Sequence, residues 1–234
     1  MMKLRLLCFL LAASVLTGAC GDEDDGTGPG PDPGPEAGVA RLRVVQAEPK
    51  VASVDVFVDG TKVLSNMTYL TVSEYLEVES GIRDVQFVTA SRTLDGAPVA
   101  LADGADYTVI PCCTQFPGAS LFTDDNSAPA PGNAKLRVVD YATIESALDI
   151  YVTAPGADLA AETPTVTISM GYASDYLEVP AGDYQVRITP WDTKTVVIDS
   201  GTLTLGAGQV RTAIGVDAAG GGEPFGLLVL EDLN

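Results

Sequence analysis

The side chains of this sequence that could perform chemistry are carboxylates and thiols, because the chain contains no histidine. A Ser-His-Asp or Cys-His site therefore cannot form within the chain, and a zinc site would lack its commonest ligand. Pairs of acids remain, such as Glu74 with Glu77 and Asp175 with Glu178. Residues three apart on a strand point to opposite faces, so these acids do not form the facing pair that glycoside hydrolysis requires. The sequence predicts no catalytic residues and no enzymatic activity.

Hard oxygen ligands for calcium are abundant, since the chain has 32 acidic residues. The best group for such a site comprises Asp124, Asp125 and Asn126. Asp103 or Asp106 could complete it, and Asp232 with Asn234 is the corresponding group at the end of the chain. No loop has the EF-hand spacing, and a polar strand end followed by a turn accounts for the same residues. We therefore expect no cofactor, with calcium as the alternative.

The first twenty residues have the pattern of a bacterial export signal. Lys3 and Arg5 precede an eleven-residue apolar run, residues 6–16, which is too short for a bilayer that needs about 20 residues. The small residues 17–19 lead to Cys20, which resembles the acylated cysteine of a lipoprotein signal. Ordinary cleavage directly before that cysteine is the alternative. We expect a lipid anchor at Cys20, because several acyl chains together hold a protein stably at a membrane.

Two further cysteines, Cys112 and Cys113, would remain in the exported chain. Exported domains can form disulfides. Neighbours in sequence, however, can close only a strained vicinal ring. The open alternatives are a vicinal disulfide and two reduced thiols, and no histidine is present to activate either thiol.

Residues 20–38 are acidic and rich in glycine and proline, and they include no basic and no large apolar side chain. Such a composition cannot bury a core, so we expect an extended tether behind a signal peptide at 1–19. The net charge of −19 opposes nucleic acids and anionic headgroups. We expect a lipid-anchored location in the bacterial cell envelope, with an envelope protein or glycan as partner. Gly21 after the cysteine favours the outer membrane.

The rest of the chain contains nearly the same pattern twice. Ala40-Arg41-Leu42-Arg43-Val44-Val45 returns as Ala134-Lys135-Leu136-Arg137-Val138-Val139, and Ser73-Glu74-Tyr75-Leu76-Glu77-Val78 returns as Ser174-Asp175-Tyr176-Leu177-Glu178-Val179. Short runs with period two, separated by Gly, Asp and Ser, predict half-buried strands. We expect an all-β chain with two tandem immunoglobulin-like antiparallel β-sandwich domains at 39–126 and 134–234. The proline-containing linker 127–133 predicts domains that lie end to end.

Three aromatic residues are candidates for ligand contact. Phe57 and Tyr151 occupy equivalent positions on the strand face opposite Val56 and Ile150. They could form a platform for sugars, or they could pack between sheets or domains. Trp191 follows a proline in a predicted loop and has no counterpart in the first copy.

The repeated motifs resemble the DUF4397 family of bacterial exported proteins. These motifs are Ala40-Arg41-Leu42-Arg43-Val44-Val45, Val54-Asp55-Val56-Phe57-Val58-Asp59-Gly60, Tyr176-Leu177-Glu178-Val179-Pro180-Ala181-Gly182 and Gly208-Gln209-Val210-Arg211-Thr212. The resemblance covers nearly all of 39–234 as two copies and implies a secreted or lipid-anchored protein without family catalytic residues. We expect a non-enzymatic envelope protein that acts as a spacer or binds a protein or glycan. The alternatives are an enzyme that acts on envelope polysaccharide through paired carboxylates and a calcium-stabilised adhesin.

Overall fold

The computed structural model describes residues 38–91, 93–94, 98–111, 119–144 and 147–232. The predictions on the signal and tether with Cys20, on Cys112 and Cys113, and on Asn234 lie outside these residues. Within the described ranges, the 3-10 helix Leu159–Ala161 is the only helical element. No helix of this part of the chain is long and apolar enough to span a membrane.

The first repeat folds into two sheets, which we call inner sheet 1 and outer sheet 1. Its strands are β1 (Val39–Val44), β2 (Ser53–Val58), β3 (Thr61–Thr68), β4 (Leu76–Glu79), β5 (Gly81–Val88), β6 (Thr93–Leu94), β7 (Pro98–Leu101), β8 (Asp106–Pro111) and β9 (Ala119–Asp124). Inner sheet 1 has the order β4-β1-β8-β9, and outer sheet 1 has the order β3-β2-β5-β6 with β7 paired to β5. Period-two alternation turns Val54, Val56 and Val58 toward a core that also contains Leu42 and Phe87.

The second repeat has the same arrangement in inner sheet 2 and outer sheet 2. Its strands are β10 (Asn133–Asp140), β11 (Leu148–Thr153), β12 (Val166–Ile168), β13 (Leu177–Pro180), β14 (Gly182–Pro190), β15 (Ile198–Asp199), β16 (Leu203–Leu205), β17 (Val210–Val216) and β18 (Gly226–Glu231). Inner sheet 2 has the order β13-β10-β17-β18, and outer sheet 2 has β12-β11-β14-β15 with β16 paired to β14. The predicted all-β fold with two tandem sandwiches is confirmed. Each inner sheet also contains one parallel pair, β1 with β8 and β10 with β17.

The two inner sheets pack face to face, and the predicted end-to-end arrangement was wrong. Each repeat has its own apolar core, and a third cluster joins them. This cluster contains Val45, Ala47 and Ile110 of repeat 1 and Val139, Tyr141, Ile214, Val216 and Leu230 of repeat 2. The physical reason lies near the ends of β1 and β10, where Val44-Val45 and Val138-Val139 put apolar side chains on both faces of the chain. A strand with two apolar faces needs a cover on both sides.

The directions of the strands define two ends of this body. The loops after β1, β10, β14 and β17, together with the turns after β3 and β12, lie at one end, which we call the loop end. Loops of both repeats meet there, since Gly220 donates its backbone N–H to Pro49 O at 3.0 Å. Within repeat 2, Trp191 donates its backbone N–H to Ala147 O at 3.1 Å, which joins the loop after β14 to the loop after β10. The opposite end holds Gly38, where the described chain begins, and the linker between β9 and β10; we call it the N-terminal end.

Candidate functional site

Two reciprocal ion pairs join the inner sheets. Arg43 Nη2 donates to Asp232 Oδ1 at 2.7 Å, and Arg137 Nη2 donates to Asp124 Oδ1 at 2.6 Å. Arg43 and Asp124 belong to repeat 1, whereas Arg137 and Asp232 belong to repeat 2. Each repeat therefore supplies one cation and one carboxylate to the other. We call these four side chains the reciprocal cluster.

Threonine and tyrosine side chains hold the reciprocal cluster within each repeat. In repeat 1, Thr108 Oγ1 accepts from Arg43 Nη2 at 2.9 Å and donates to Asp124 Oδ2 at 2.6 Å. The Tyr75 hydroxyl donates to the same carboxylate oxygen at 2.6 Å, and the Tyr75 ring centroid lies 4.7 Å from the guanidinium carbon of Arg43. The corresponding side chains of repeat 2 are Thr212 and Tyr176.

The reciprocal cluster is removed from solvent, with side-chain exposures of 3% for both arginines and 0% for both aspartates. A buried charge costs several kcal/mol unless a partner compensates it, and here each charge has a partner of opposite sign. Burial and the nearby Asp124 carboxylate raise the pKa of Tyr75, so its phenol stays protonated and remains a hydrogen-bond donor. The cluster can therefore fix one repeat against the other. Sequence reasoning missed this role, although the recurrence of the arginine, threonine and aspartate in both copies was a usable signal.

Most of the carboxylates proposed as calcium ligands contact basic side chains. The pairs are Asp124 with Arg137, Asp125 with Lys135 and Asp106 with Arg41, each at 2.6 Å. The hydrogen bond from Lys135 is the main cause that lowers the pKa of Asp125 to about 2. Asn126 Nδ2 donates to Asp106 Oδ2 at 2.7 Å, whereas Asp103 accepts from Val39 N at 2.9 Å. Within the described ranges, no three His, Cys, Asp or Glu side chains are grouped to hold a metal ion. The expectation of no cofactor, with calcium as the alternative, stays a prediction.

The two acid pairs predicted from the sequence, Glu74 with Glu77 and Asp175 with Glu178, lie in equivalent segments of the two repeats. Glu77 lies on β4, and Glu178 lies on β13 of the other repeat. Glu178 Oε1 accepts from Asn133 Nδ2 at 2.8 Å and from Ala130 N at 3.0 Å, and these bonds lower the pKa of the Glu178 carboxyl. A general acid needs the opposite shift, a pKa raised toward neutrality.

The two equivalent aromatics differ in their surroundings. Tyr151 is only 1% exposed, because the loop between β11 and β12 and the Lys194 side chain cover it. Lys194 Nζ lies 3.0 Å from the Tyr151 hydroxyl and 4.5 Å from the ring centroid. Phe57 is half-buried, with Lys62 Nζ at 5.4 Å from its ring centroid. Phe57 and Tyr151 therefore do not form matching platforms. The third aromatic candidate, Trp191, is 63% exposed.

Exposed apolar side chains concentrate at the loop end. Of the seven large apolar residues that are exposed in the described part of the chain, four lie there: Leu70, Tyr172, Trp191 and Val196. Leu70 has a φ of 63°, which favours glycine, and the same turn of repeat 2 has Gly171 with a φ of 81°. An exposed leucine held in this conformation costs about 1 kcal/mol or more, and strain of this kind points to a role. A groove of about 580 Å³ lies beside Val196, between the segments 195–197 and 223–225. The loop end is the candidate binding surface.

A buried acid lies where β10 reaches the loop end. Asp140 is 0% exposed; its Oδ1 accepts from Ala142 N at 3.0 Å, and its Oδ2 has no hydrogen-bond partner. Repeat 1 has Gln46 at the equivalent position, where Oε1 accepts from Glu48 N at 3.1 Å. Burial, with a contribution from Asp217, raises the pKa of Asp140 to about 7.

The fold defines a protein built from two β-sandwich repeats that share one interface. The family model for the domain of unknown function DUF4397 matches residues 40–151 and 152–234, and the chain belongs to this family. The two matched segments meet inside β11, whereas the sheets divide between β9 and β10.

Other comparisons show little similarity. The search of curated proteins found no match. Among solved structures, a leucine-rich repeat protein from Bacteroides thetaiotaomicron VPI-5482 is 13% identical, with a TM-score of 0.19 over 79% of this chain. The chain spans 27% of the length of that protein.

Replacement of Arg43 by methionine should reduce the free energy of unfolding by about 3 to 5 kcal/mol, because Asp232 would lose its buried partner. Urea denaturation measures this loss. Arg211→Met is the matched control, since Arg211 pairs at 3.6 Å with Glu231, whose side chain is 85% exposed, and a surface pair contributes at most about 1 kcal/mol. Equal effects of the two substitutions would contradict the assigned role of Arg43.

The free energy of unfolding should fall as the pH rises from about 4 to about 7. The reason is that Asp140 ionises near its ordinary pKa in the unfolded chain, whereas its pKa in the folded protein is about 7. This difference of roughly three in the pKa of Asp140 between the two states corresponds to a loss of up to about 4 kcal/mol in the free energy of unfolding. Asp140→Asn should remove this slope of the free energy of unfolding against pH, measured by urea denaturation at pH 4 to 8. Asp125→Asn should leave the slope between pH 5 and 7 unchanged, because Asp125 is ionised there in both states. An unchanged slope in Asp140→Asn would exclude Asp140 as its source.

Proposed function

We propose that this protein is a non-enzymatic, lipid-anchored protein of the bacterial cell envelope, and that it binds a protein or glycan through its loop end. The observation that carries this proposal is the position of the exposed apolar side chains. Leu70, Tyr172, Trp191 and Val196 lie at the end of the body opposite to Gly38, where the described chain begins. A lipid anchor at Cys20 would therefore attach to one end and leave the other free for a partner.

The distance between the two ends supports display of the loop end. The inner strands β1, β8, β10 and β17 have six to eight residues. At about 3.3 Å per residue, they separate the ends by roughly 20 to 26 Å. The segment 20–38 would add reach, because we expect its acids and prolines to favour an extended chain. The loop end would thus project away from the membrane.

The face-to-face packing of the two inner sheets supports a role in binding a partner over a role as a structural spacer. Two sandwiches joined end to end would make a rod about two domains long. Here the shared apolar cluster and the reciprocal cluster make the body only one sandwich long, with the loops of both repeats at one end. A body of this shape presents a composite surface instead of adding length.

The surroundings of the carboxylates support a role without catalysis. The carboxylates of the reciprocal cluster are neutralised by arginines, and the pKa of Glu178 is lowered. The alternative of an enzyme that acts on polysaccharide predicts turnover of cell-wall or capsular glycans that is lost in Glu77→Gln or Glu178→Gln. The calcium-adhesin alternative predicts a higher melting temperature in calcium than in chelator.

The anchor has a direct test in the native host. Mass spectrometry of the mature N-terminus should show an acylated Cys20, and the protein should fractionate with membranes. Cys20→Ser should release the protein from the membrane fraction, because the acyl chains supply the affinity. An unmodified Cys20 at the mature N-terminus, or a retained signal, would exclude the lipid anchor.

Binding at the loop end is tested with immobilised cell-wall glycans, capsular glycans and extracted envelope proteins. The double variant Trp191→Ala and Tyr172→Ala should weaken binding to the recognised material by at least about tenfold, since exposed aromatics dominate recognition surfaces. Ile82→Ala is the matched control, because Ile82 is 74% exposed but lies near the N-terminal end, and its binding should stay unchanged. Equal losses in both proteins would contradict a binding surface at the loop end.

A further inference from the structure

The interface between the repeats has the symmetry of a homodimer interface. Arg43 and Arg137 occupy equivalent positions, and so do Asp124 and Asp232. Each repeat therefore offers a cation and receives one, as the two faces of an isologous dimer do. A repeat with this face is complementary to its partner whether the partner belongs to the same chain or to another.

We propose that the inner sheets form an exchange interface, through which repeat 1 of one chain pairs with repeat 2 of a second copy of the same chain. This goes beyond the proposed function, since it concerns a partner for the inner sheets and not for the loop end. The product is a dimer that contains the reciprocal cluster twice. The contacts between the two inner sheets recur in it, so exchange loses no interaction between these sheets.

The apolar part of the interface decides which repeats pair. Several positions are equivalent and similar in size, such as Val45 with Val139 and Ile110 with Ile214. One position is unequal, because repeat 1 has Ala47 where repeat 2 has Tyr141. The Tyr141 hydroxyl donates to Ile110 O across the interface at 3.3 Å. A pair of two second repeats would place two tyrosines where the observed interface has a tyrosine and an alanine, which favours unlike pairs.

The linker between β9 and β10 allows the repeats to pair within one chain or between two chains. Residues 125–132 connect the C-terminal end of β9 to the N-terminal end of β10 and contain Pro129 and Pro131. Lys135 Nζ donates to Ser127 O at 3.0 Å, so the linker is attached to repeat 2. A short linker gives an effective concentration of about millimolar, which favours the closed monomer in dilute solution. Short stiff hinges are also the usual route to exchanged dimers, and anchored chains would meet at high local concentration.

The experiment uses two full-length variants whose charges are complementary only between chains. The first carries Arg43→Asp and Asp124→Arg, and the second carries Arg137→Asp and Asp232→Arg. Within either variant chain, like charges then face each other across the interface. Between the variants, the charges of repeat 1 of one chain are complementary to those of repeat 2 of the other chain. Light scattering of an equimolar mixture should show a dimer, about tenfold more abundant than in either variant alone. A mixture that stays monomeric would overturn the proposal, and equal dimer fractions in all three samples would overturn the preference for unlike pairs.

The matched control is one chain with all four substitutions, which restores opposite charges within the molecule. It should be a folded monomer, and this shows that the reversed charges are tolerated. A second variant keeps the proposal testable if reversed charges prevent folding. Deletion of residues 127–132 from the natural chain removes the hinge that closure within one chain needs, and it should convert the protein into a dimer. A monomer of the deletion variant would overturn the proposal.

Discussion

Two guanidinium groups lie between two β-sheets with almost no solvent contact, and the rest of the structure depends on their compensation. A buried arginine is tolerated only where a carboxylate and further acceptors replace the water that it loses. Here each arginine makes its hydrogen-bonded ion pair with a carboxylate of the other repeat, although Arg43 Nη2 also lies 3.5 Å from Asp124 Oδ2 of its own repeat. The relative position of the repeats follows from this requirement, and the apolar contacts around Val45, Val139 and Ile214 then exclude water from the rest of the interface.

The fixed relative position has a consequence for the surface of the molecule. Since both repeats run in the same direction, their loops meet at one end, and a backbone hydrogen bond from Gly220 to Pro49 links them. Trp191 and Tyr172 are exposed at this end together with a strained Leu70. A surface assembled from two repeats can carry more chemical variety than one repeat could, although the repeats share their scaffold.

The sequence was sufficient for the fold but not for the arrangement of the repeats. Alternation such as Val54, Val56 and Val58 depends on backbone geometry alone, and it predicted the strands and the sandwich cores. Alternation puts Arg43 on the strand face opposite Leu42 and Val44, but it cannot distinguish water from a second protein sheet on that face. The useful signal was the repetition of Arg43 as Arg137 together with the doubly apolar strand around it.

Local detail was also beyond the reach of the sequence. Phe57 and Tyr151 are equivalent by register, yet only Tyr151 is covered, because the longer loop after β11 and Lys194 close over it. The unpartnered oxygen of Asp140 depends on packing at the end of β10 and leaves no pattern along the chain. Trp191, in contrast, could be predicted as exposed, since it follows a proline in a loop.

A double-mutant cycle between Arg43 and Asp232 tests the central claim most directly, because these residues are 189 positions apart and belong to different repeats. Urea denaturation of Arg43→Met, Asp232→Leu and the combined variant gives their coupling energy. Face-to-face repeats with a buried reciprocal pair predict a coupling of about 1 to 3 kcal/mol. A coupling of zero within error would mean that the two repeats do not meet at this pair, and it would contradict the account.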